Sequence, residues 1–147
     1  MKFINEESIS TLDLVSDYYM QKVDINKTGV RNMISAISTL GLDNKVLEIL
    51  KGLNQNIECI NTADYHYKSL GTELQLGDLS RAEKVFLVSY AAKVTGIKIF
   101  LQYDMMQLTK TSLRKYYQIF KDCNNINIVY LTQEDRDYLS MAMQGEL

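Results

Sequence analysis

The sequence predicts a single α/β domain in which an N-terminal layer of helices packs on a small mixed β-sheet. Two observations predict this class. Residues 97–101 and 126–131 are nearly continuous apolar runs, as in parallel strands that are covered on both faces. The segment between them, residues 111–121, is apolar at helical spacing and predicts a crossover helix, which makes the three segments a right-handed βαβ unit. An α+β arrangement is the alternative.

A capped helix is predicted in front of the first strand, over residues 80–95. Ser80 and Glu83 have the S-x-x-E spacing of a capping box, in which each side chain satisfies a backbone amide at the helix start. The residues after the cap are apolar on nearly every side, as expected of a helix that lies between other elements. Gly96 provides the left-handed residue that ends such a helix.

Residues 1–54 are predicted to form the helical layer. Apolar residues recur there at steps of three and four over residues 8–22, 28–40 and 43–53, which predicts three amphipathic helices. Gly41 supplies a stop between the second and the third. The short connections require neighbouring helices to pack against one another.

Residues 55–147 are predicted to form the rest of the same domain, with the βαβ unit at their end. Residues 57–60 and 72–76 have strand character, and the second of them alternates cleanly between apolar and polar residues. We expect both to add antiparallel strands to the edge of the sheet, which is why a mixed sheet is predicted.

Composition restricts the class of protein. A chain of 147 residues with 46% hydrophobic content can bury a core as one domain. A net charge of −2 does not favour a general nucleic-acid surface or an anionic-membrane partner. Cys59 and Cys123 lack metal-ligand spacing and are expected to be reduced thiols. No apolar run approaches a membrane span of about 20 residues, and no signal-peptide pattern is present, so a cytoplasmic location is expected.

Four segments occur in an order and at separations that carry a family resemblance. Residues 79–84 read L-S-R-A-E-K, and residues 71–78 have the character of a strand and turn that lead into that motif. Residues 99–109 are an apolar run and a polar corner, and residues 128–133 are an apolar strand that ends in Thr-Gln. The chain thereby resembles the ABC-type ATPases, in the branch of SMC and double-strand-break repair proteins, whose signature motif is L-S-G-G-E-[KR]. The resemblance covers roughly residues 67–139, about half the chain.

The chain departs from this family at the residues that carry its chemistry. Gln102 occupies the position of the family's magnesium-binding Asp in Walker B, and Tyr103 occupies that of its catalytic Glu. Thr109 replaces the D-loop Asp, and Gln133 replaces the switch His. Asp104 lies close by and would reach the metal position only after a shift of one or two residues. No G-x-x-x-x-G-K-[ST] phosphate loop occurs in the sequence. The resemblance therefore implies a degenerate lobe with no ATPase activity, no cofactor and no bound metal.

The same resemblance suggests where the chain would contact another molecule. In the family, the signature motif contacts the γ-phosphate of a nucleotide that the opposite subunit holds, so the helix start at Ser80 is expected to dock against a true ATPase. Arg81 replaces a glycine there and either pairs with phosphate or blocks close approach. The alternative is that S-x-x-E is only a helix cap, and that the two methionines of the corner are loop packing. The predicted partner or phosphate contacts are Ser80, Arg81, Glu83, Tyr103, Asp104, Met105, Met106 and Gln133.

The favoured function is a non-catalytic module that binds and modulates a protein partner. The alternative is a small inhibitor, encoded by a mobile element, of a host nucleic-acid-targeting complex, or a nucleic-acid-binding protein. A basic side on the crossover helix and a helix-turn-helix arrangement around Gly41 belong to that alternative, although a solvated helix face explains the first equally well. An enzyme with another kind of site is the third hypothesis, and Glu83, Asp104 and His66 are its scattered candidates.

Overall fold

The computed structural model describes residues 1–9 and 81–144. Their secondary structure consists of strand β1 (Lys2–Asn5), a 3₁₀ turn (Glu6–Ser8), helix α1 (Arg81–Thr95), strand β2 (Ile99–Gln102), a one-turn helix α2 (Tyr103–Met106), helix α3 (Lys110–Phe120), strand β3 (Ile126–Tyr130) and helix α4 (Gln133–Gln144). Apart from residues 8 and 9, the predicted helices and strands over residues 8–76 lie outside the described residues, and so does Ser80. None of the helices in the described part of the chain is both long and apolar enough to cross a bilayer.

The sheet of the described residues is parallel, with β3 in the centre and the order β1-β3-β2. Ile99 of β2 pairs with Ile126 of β3, and Lys2 of β1 pairs with Asn127 of β3. The predicted parallel pairing of the two apolar runs is therefore confirmed. The antiparallel strands that would make the sheet mixed lie outside the described residues.

The chain begins with a strand, which corrects the prediction that all of residues 1–54 belong to a helical layer. Residues 2–5 pair along β3, and Asn5 ends the strand because its side-chain oxygen accepts a hydrogen bond from the backbone N–H of Glu7 at 2.8 Å. Phe3 and Ile4 face opposite sides of the sheet and join different apolar clusters. Two apolar residues alone are too short a pattern to predict a strand, and the pairing with β3 decides its conformation.

The helices α1, α3 and α4 share one core with one face of the sheet. Buried residues of that core lie at helical spacing on α3 (Leu113, Tyr116 and Phe120) and on α4 (Leu139, Ala142 and Met143). Helix α1 is buried on nearly all sides, as its sequence predicts, because α3 packs against it and the strands lie beneath it. The opposite face of the sheet buries a smaller cluster of Ile9, Phe100 and Val129.

Four aromatic rings fill the contact between α1 and α3. Phe86 meets Tyr116 edge-on with ring centroids 5.4 Å apart, and Tyr90 meets Phe120 at 4.9 Å. Such edge-to-face pairs add about 0.5–1.5 kcal/mol beyond the area that they bury. This cluster fixes α3 on α1, and so fixes the corner between β2 and α3 relative to the start of α1.

Candidate functional site

The carboxyl ends of the three strands meet at one edge of the sheet, because the strands are parallel. Glu6 follows β1, Gln102 ends β2, and Leu131 follows β3. Open parallel sheets bind their ligands outside this edge. The segments that resemble Walker B and the switch strand end here, so the fold places the predicted corner at the position that a functional site would occupy.

Gln102 and Glu6 join across the end of the central strand. The Gln102 Nε2 donates a hydrogen bond of 3.2 Å to the Glu6 Oε1, and the contact is partly buried. A side-chain amide has no negative charge for Mg²⁺, and here its donor group is directed at a carboxylate. The position that resembles the metal-binding Asp therefore carries a hydrogen-bond link between two strand ends.

Tyr103 is half-buried at the start of α2 and packs against the main core. Burial raises the pKa of its phenol above the ordinary value, and the nearby Tyr138 and Asp135 raise it further. The phenol is therefore neutral at ordinary pH and can donate a hydrogen bond. These neighbours also show that the first two turns of α4 approach the corner after β2.

Arg81 ties the start of α1 to the same corner. Its Nη1 donates a hydrogen bond of 2.9 Å to the backbone oxygen of Met105, which lies in the last turn of α2. The segments that resemble the signature motif and Walker B are thus in direct contact, through the residue that departs from the glycine of the family. Met105 itself is half-buried against the core.

Two of the predicted contact residues are buried, which does not favour their predicted role. Met106 is 0% exposed and belongs to the main core. The one-turn helix α2 turns its side chain inward, where a flexible thioether fills the space beneath the corner. Glu83 is 6% exposed, which leaves almost none of its side chain for a partner.

Asp104 and Gln133 are both exposed. Asp104 lies in the first turn of α2. Gln133 begins α4, where its Nε2 donates a hydrogen bond of 3.0 Å to the Asp137 Oδ1. The fold brings Arg81, Tyr103, Asp104 and Met105 to one corner, and the start of α4 lies beside it.

The sequence reasoning missed two residues of this edge. Leu131 is 43% exposed and Tyr138 is 38% exposed, and they are the exposed large hydrophobic residues of the described chain. Leu131 was expected to end a buried strand, but β3 stops at Tyr130. A signal for α4 was present, because Thr132 and Asp135 have the spacing of a cap, and the Thr132 Oγ1 accepts from the Asp135 N–H at 3.1 Å.

We define the carboxyl-edge surface by the residues that these observations leave accessible at the strand ends. Its members are Arg81, Tyr103, Asp104, Leu131, Gln133 and Tyr138. Its carboxylates follow the ends of all three strands, at Glu6, Glu7, Asp104, Glu134, Asp135 and Asp137. Within residues 1–9 and 81–144, no three His, Cys, Asp or Glu side chains converge in a group that could hold a metal ion.

Comparisons with protein-family models, with curated proteins and with solved structures found no match to this chain.

Proposed function

We propose that this chain is a non-catalytic protein-interaction module, a degenerate ABC-like lobe that binds and modulates a partner protein through the carboxyl-edge surface. A true ATPase is the partner class that the resemblance suggests. One observation carries the proposal: Leu131 and Tyr138 expose apolar area at the edge where the resemblance places a catalytic centre. Exposed apolar residues with a polar rim are typical of protein-binding surfaces.

The chemistry of the corner supports a binding role over hydrolysis. ATP hydrolysis of this type needs one carboxylate for Mg²⁺ and another that orients the attacking water. An amide and a neutral phenol occupy those two positions, Gln102 and Tyr103, and the amide is hydrogen-bonded to Glu6. Tyrosine at a surface instead provides a large, rigid contact with one polar tip, which is favoured at interfaces.

The contact between Arg81 and Met105 supports a preformed surface. A guanidinium that donates to a backbone oxygen restrains the start of α1 and the last turn of α2 relative to each other. A partner that binds across both elements then pays less conformational entropy, because the two are already held in place.

Calorimetric titration with Mg-ATP and with ATP alone tests the non-catalytic part of the proposal. We expect no heat of binding from either nucleotide. Tight binding that depends on magnesium would contradict the proposal, because it would require a working metal site at this corner with Asp104 as a ligand.

Affinity capture with paired variants tests the binding part. We expect a protein that the wild-type chain retains to be lost with Leu131→Ser and with Tyr138→Ser, since central apolar contacts contribute about 1–2 kcal/mol or more each. Arg114→Glu, on the exposed side of α3, is the matched control and retains it. If the captured protein is an ATPase, its hydrolysis rate should change when the purified chain is added. If all variants retain the captured protein equally, its binding surface lies elsewhere on the chain.

A further inference from the structure

Lysine side chains collect at the opposite, amino edge of the sheet. Lys2 begins β1, Lys98 precedes β2, Lys121 follows α3, and Lys93 lies in the last turn of α1. All four are exposed. We call them the amino-edge surface. Asp122 is the exposed carboxylate beside them in the described part of the chain.

Two of these lysines are brought together by a backbone contact. The amino group of Met1 donates a hydrogen bond of 2.9 Å to the backbone oxygen of Lys121. Lys2 follows Met1 directly and therefore lies near Lys121 in space, although 119 positions separate the two in the sequence.

Asn125 brings the other two lysines to the same edge. Its Nδ2 donates hydrogen bonds of 2.8 Å to the backbone oxygens of both Ala92 and Ile97. Lys93 and Lys98 follow those two residues directly. Since Asn125 immediately precedes β3, the lysines lie around the amino end of the central strand.

Among the described residues, the two edges carry opposite net charge. The carboxyl edge has the six carboxylates named above and four cationic side chains, Arg81, Lys84, Lys110 and Arg136, so its negative charges outnumber its positive ones by two. The amino edge has four lysines against Asp122. Both arginines of the carboxyl edge make local contacts. Arg81 donates to the Met105 oxygen, and the guanidinium of Arg136 lies 4.4 Å from the centre of the Phe3 ring. The five-residue strand β3 separates the edges by about 15 Å, which exceeds the Debye length of about 8 Å at physiological salt. Each edge therefore acts as its own electrostatic patch.

The exposed apolar residues match the chemistry of lysine. The (CH₂)₄ stem of lysine can cover apolar area such as that of Leu131 while its ammonium group stays in water. A lysine ammonium also binds favourably over the face of a tyrosine ring, which Tyr138 offers. The amino-edge surface thus has both the charge and the side-chain type that the carboxyl-edge surface fits.

We propose that the carboxyl-edge surface of one copy binds the amino-edge surface of a second copy, head to tail. This contact uses two different surfaces, so each pair leaves one free edge of each kind. A third copy can then add, and short open chains form unless the rotation between copies closes a ring. The inference goes beyond the proposed function, because its test uses the purified chain alone and does not depend on a foreign partner.

Sedimentation velocity over a concentration series, at about 50 mM and about 500 mM NaCl, is the first test. We expect the mean mass to rise with concentration at low salt and to return toward that of one copy at high salt. A single copy at every concentration in low salt overturns the proposal. Association that salt leaves unchanged also overturns it, since ion pairs between exposed groups are screened.

Charge reversal then identifies the surfaces. The first variant, Lys2→Glu with Lys121→Glu, makes both edges acidic. The second, Asp104→Lys with Glu134→Lys, makes the carboxyl edge less acidic and more basic. Each variant alone should associate at least about tenfold more weakly than the wild type. An equimolar mixture of the two should associate again, because the acidic carboxyl edge of the first variant meets the basic amino edge of the second.

The controls separate this contact from a general effect of charge. Arg114→Glu changes the charge of an exposed residue near the middle of α3 that belongs to neither defined surface, and it should keep wild-type association. Leu131→Ser introduced into both reversed variants should weaken their mixture. Association of either reversed variant at wild-type strength, or no recovery in the mixture, overturns the proposal. Binding of a short DNA duplex that Lys2→Glu with Lys121→Glu abolishes, with no self-association of the wild type, assigns the amino edge to nucleic acid and also overturns it.

Discussion

Ser89 and Tyr116 bury two hydroxyl groups in the contact between α1 and α3, and both residues are 0% exposed. The Ser89 Oγ donates to the backbone oxygen of Val85 at 2.7 Å, and it lies 2.6 Å from the Tyr116 hydroxyl oxygen. Because the serine has one hydrogen and directs it at Val85, the tyrosine is the donor of the second bond. The two hydroxyl groups therefore depend on each other inside an apolar core.

A double-mutant cycle at this pair should show strong coupling. Ser89→Ala leaves the buried Tyr116 hydroxyl without its acceptor and should lower the free energy of unfolding by about 1–3 kcal/mol. Tyr116→Phe removes the hydroxyl and should cost about 0.5–1.5 kcal/mol. The double variant should cost less than the sum, because no buried donor is left unsatisfied. Urea unfolding measures all four proteins, and strictly additive costs would contradict the assigned bond.

At the scale of elements, the helices and strands with long apolar patterns could be predicted from the sequence. The strand that depends on a contact between residues distant in the sequence could not. The prediction of a helix over residues 80–95 and of a strand over residues 126–131 agrees within a residue with Arg81–Thr95 and Ile126–Tyr130. Because these elements are buried on many sides, most of their residues are apolar, and such a run is recognisable in the sequence. Strand β1 has only four residues, and it pairs with a strand more than 120 positions away, so no local pattern specifies it.

The residues of the candidate site also divide into those that the sequence could predict and those that it could not. The corner of Tyr103 and Asp104 could be predicted, because a polar stretch after a parallel strand places residues at the carboxyl edge. The inward side chain of Met106 and the exposure of Leu131 could not, since both depend on where α2 and α4 pack. The helix α4 was missed because its first turns are polar, and its apolar positions Leu139, Ala142 and Met143 lie near its end.

Asn125 links three elements, and its substitution should show this. Its amide bridges the end of α1 and the residues before β2 from the turn that leads into β3. Asn125→Asp replaces a donor with a carboxylate that faces two backbone oxygens, and it should lower the free energy of unfolding by about 1–3 kcal/mol. Asn125→Ala should cost less, because it introduces no repulsion.

Asn124→Asp is the matched control for this prediction. Asn124 is the exposed neighbour in the same turn, so its change should stay within about 0.5 kcal/mol of the wild type. Thermal unfolding at neutral pH compares the three variants. Equal melting temperatures for the Asp substitutions at positions 124 and 125 would show that the two hydrogen bonds do not stabilise the fold.

At the scale of the molecule, one arrangement accounts for both the helix ends and the opposite charge of the edges. Helices α3 and α4 each follow the carboxyl end of a strand, so they begin at that edge. Acidic residues near helix starts, such as Glu134 and Asp135, and lysines near helix ends, such as Lys93, complement the helix dipoles. In the described part of the chain, the acidic start of α4 and the lysine at the end of α1 therefore contribute to the acidic and the basic edge, whereas α3 begins with Lys110 and does not follow this pattern. The proposed contacts with a partner protein and with a second copy use that polarity, and the two ligands should compete for the carboxyl-edge surface.

The buried phenol of Tyr116 should make the whole fold sensitive to alkali. Burial raises the pKa of this hydroxyl far above its ordinary value of 10.0, mainly through desolvation. Below pH 10, both the folded and the unfolded chain keep the proton on this phenol, so the contribution of Tyr116 to stability does not change with pH. Above it, the unfolded chain ionises while the folded chain does not, so the free energy of unfolding falls by about 1.4 kcal/mol per pH unit. The loss continues until the pH reaches the raised pKa of the folded state.

Urea unfolding at about pH 9 and about pH 11 measures this loss in the wild type and in two variants. Tyr116→Phe removes the titrating group, so its stability should fall by about 1 kcal/mol less than that of the wild type between the two pH values. Ser89→Ala is the matched control, because it disturbs the same contact but keeps the phenol buried. It should be less stable than the wild type at both pH values and retain the alkaline loss. If Tyr116→Phe loses as much stability in alkali as Ser89→Ala does, the proton is released from another group, and Tyr103, whose pKa is also raised, becomes the next substitution to make.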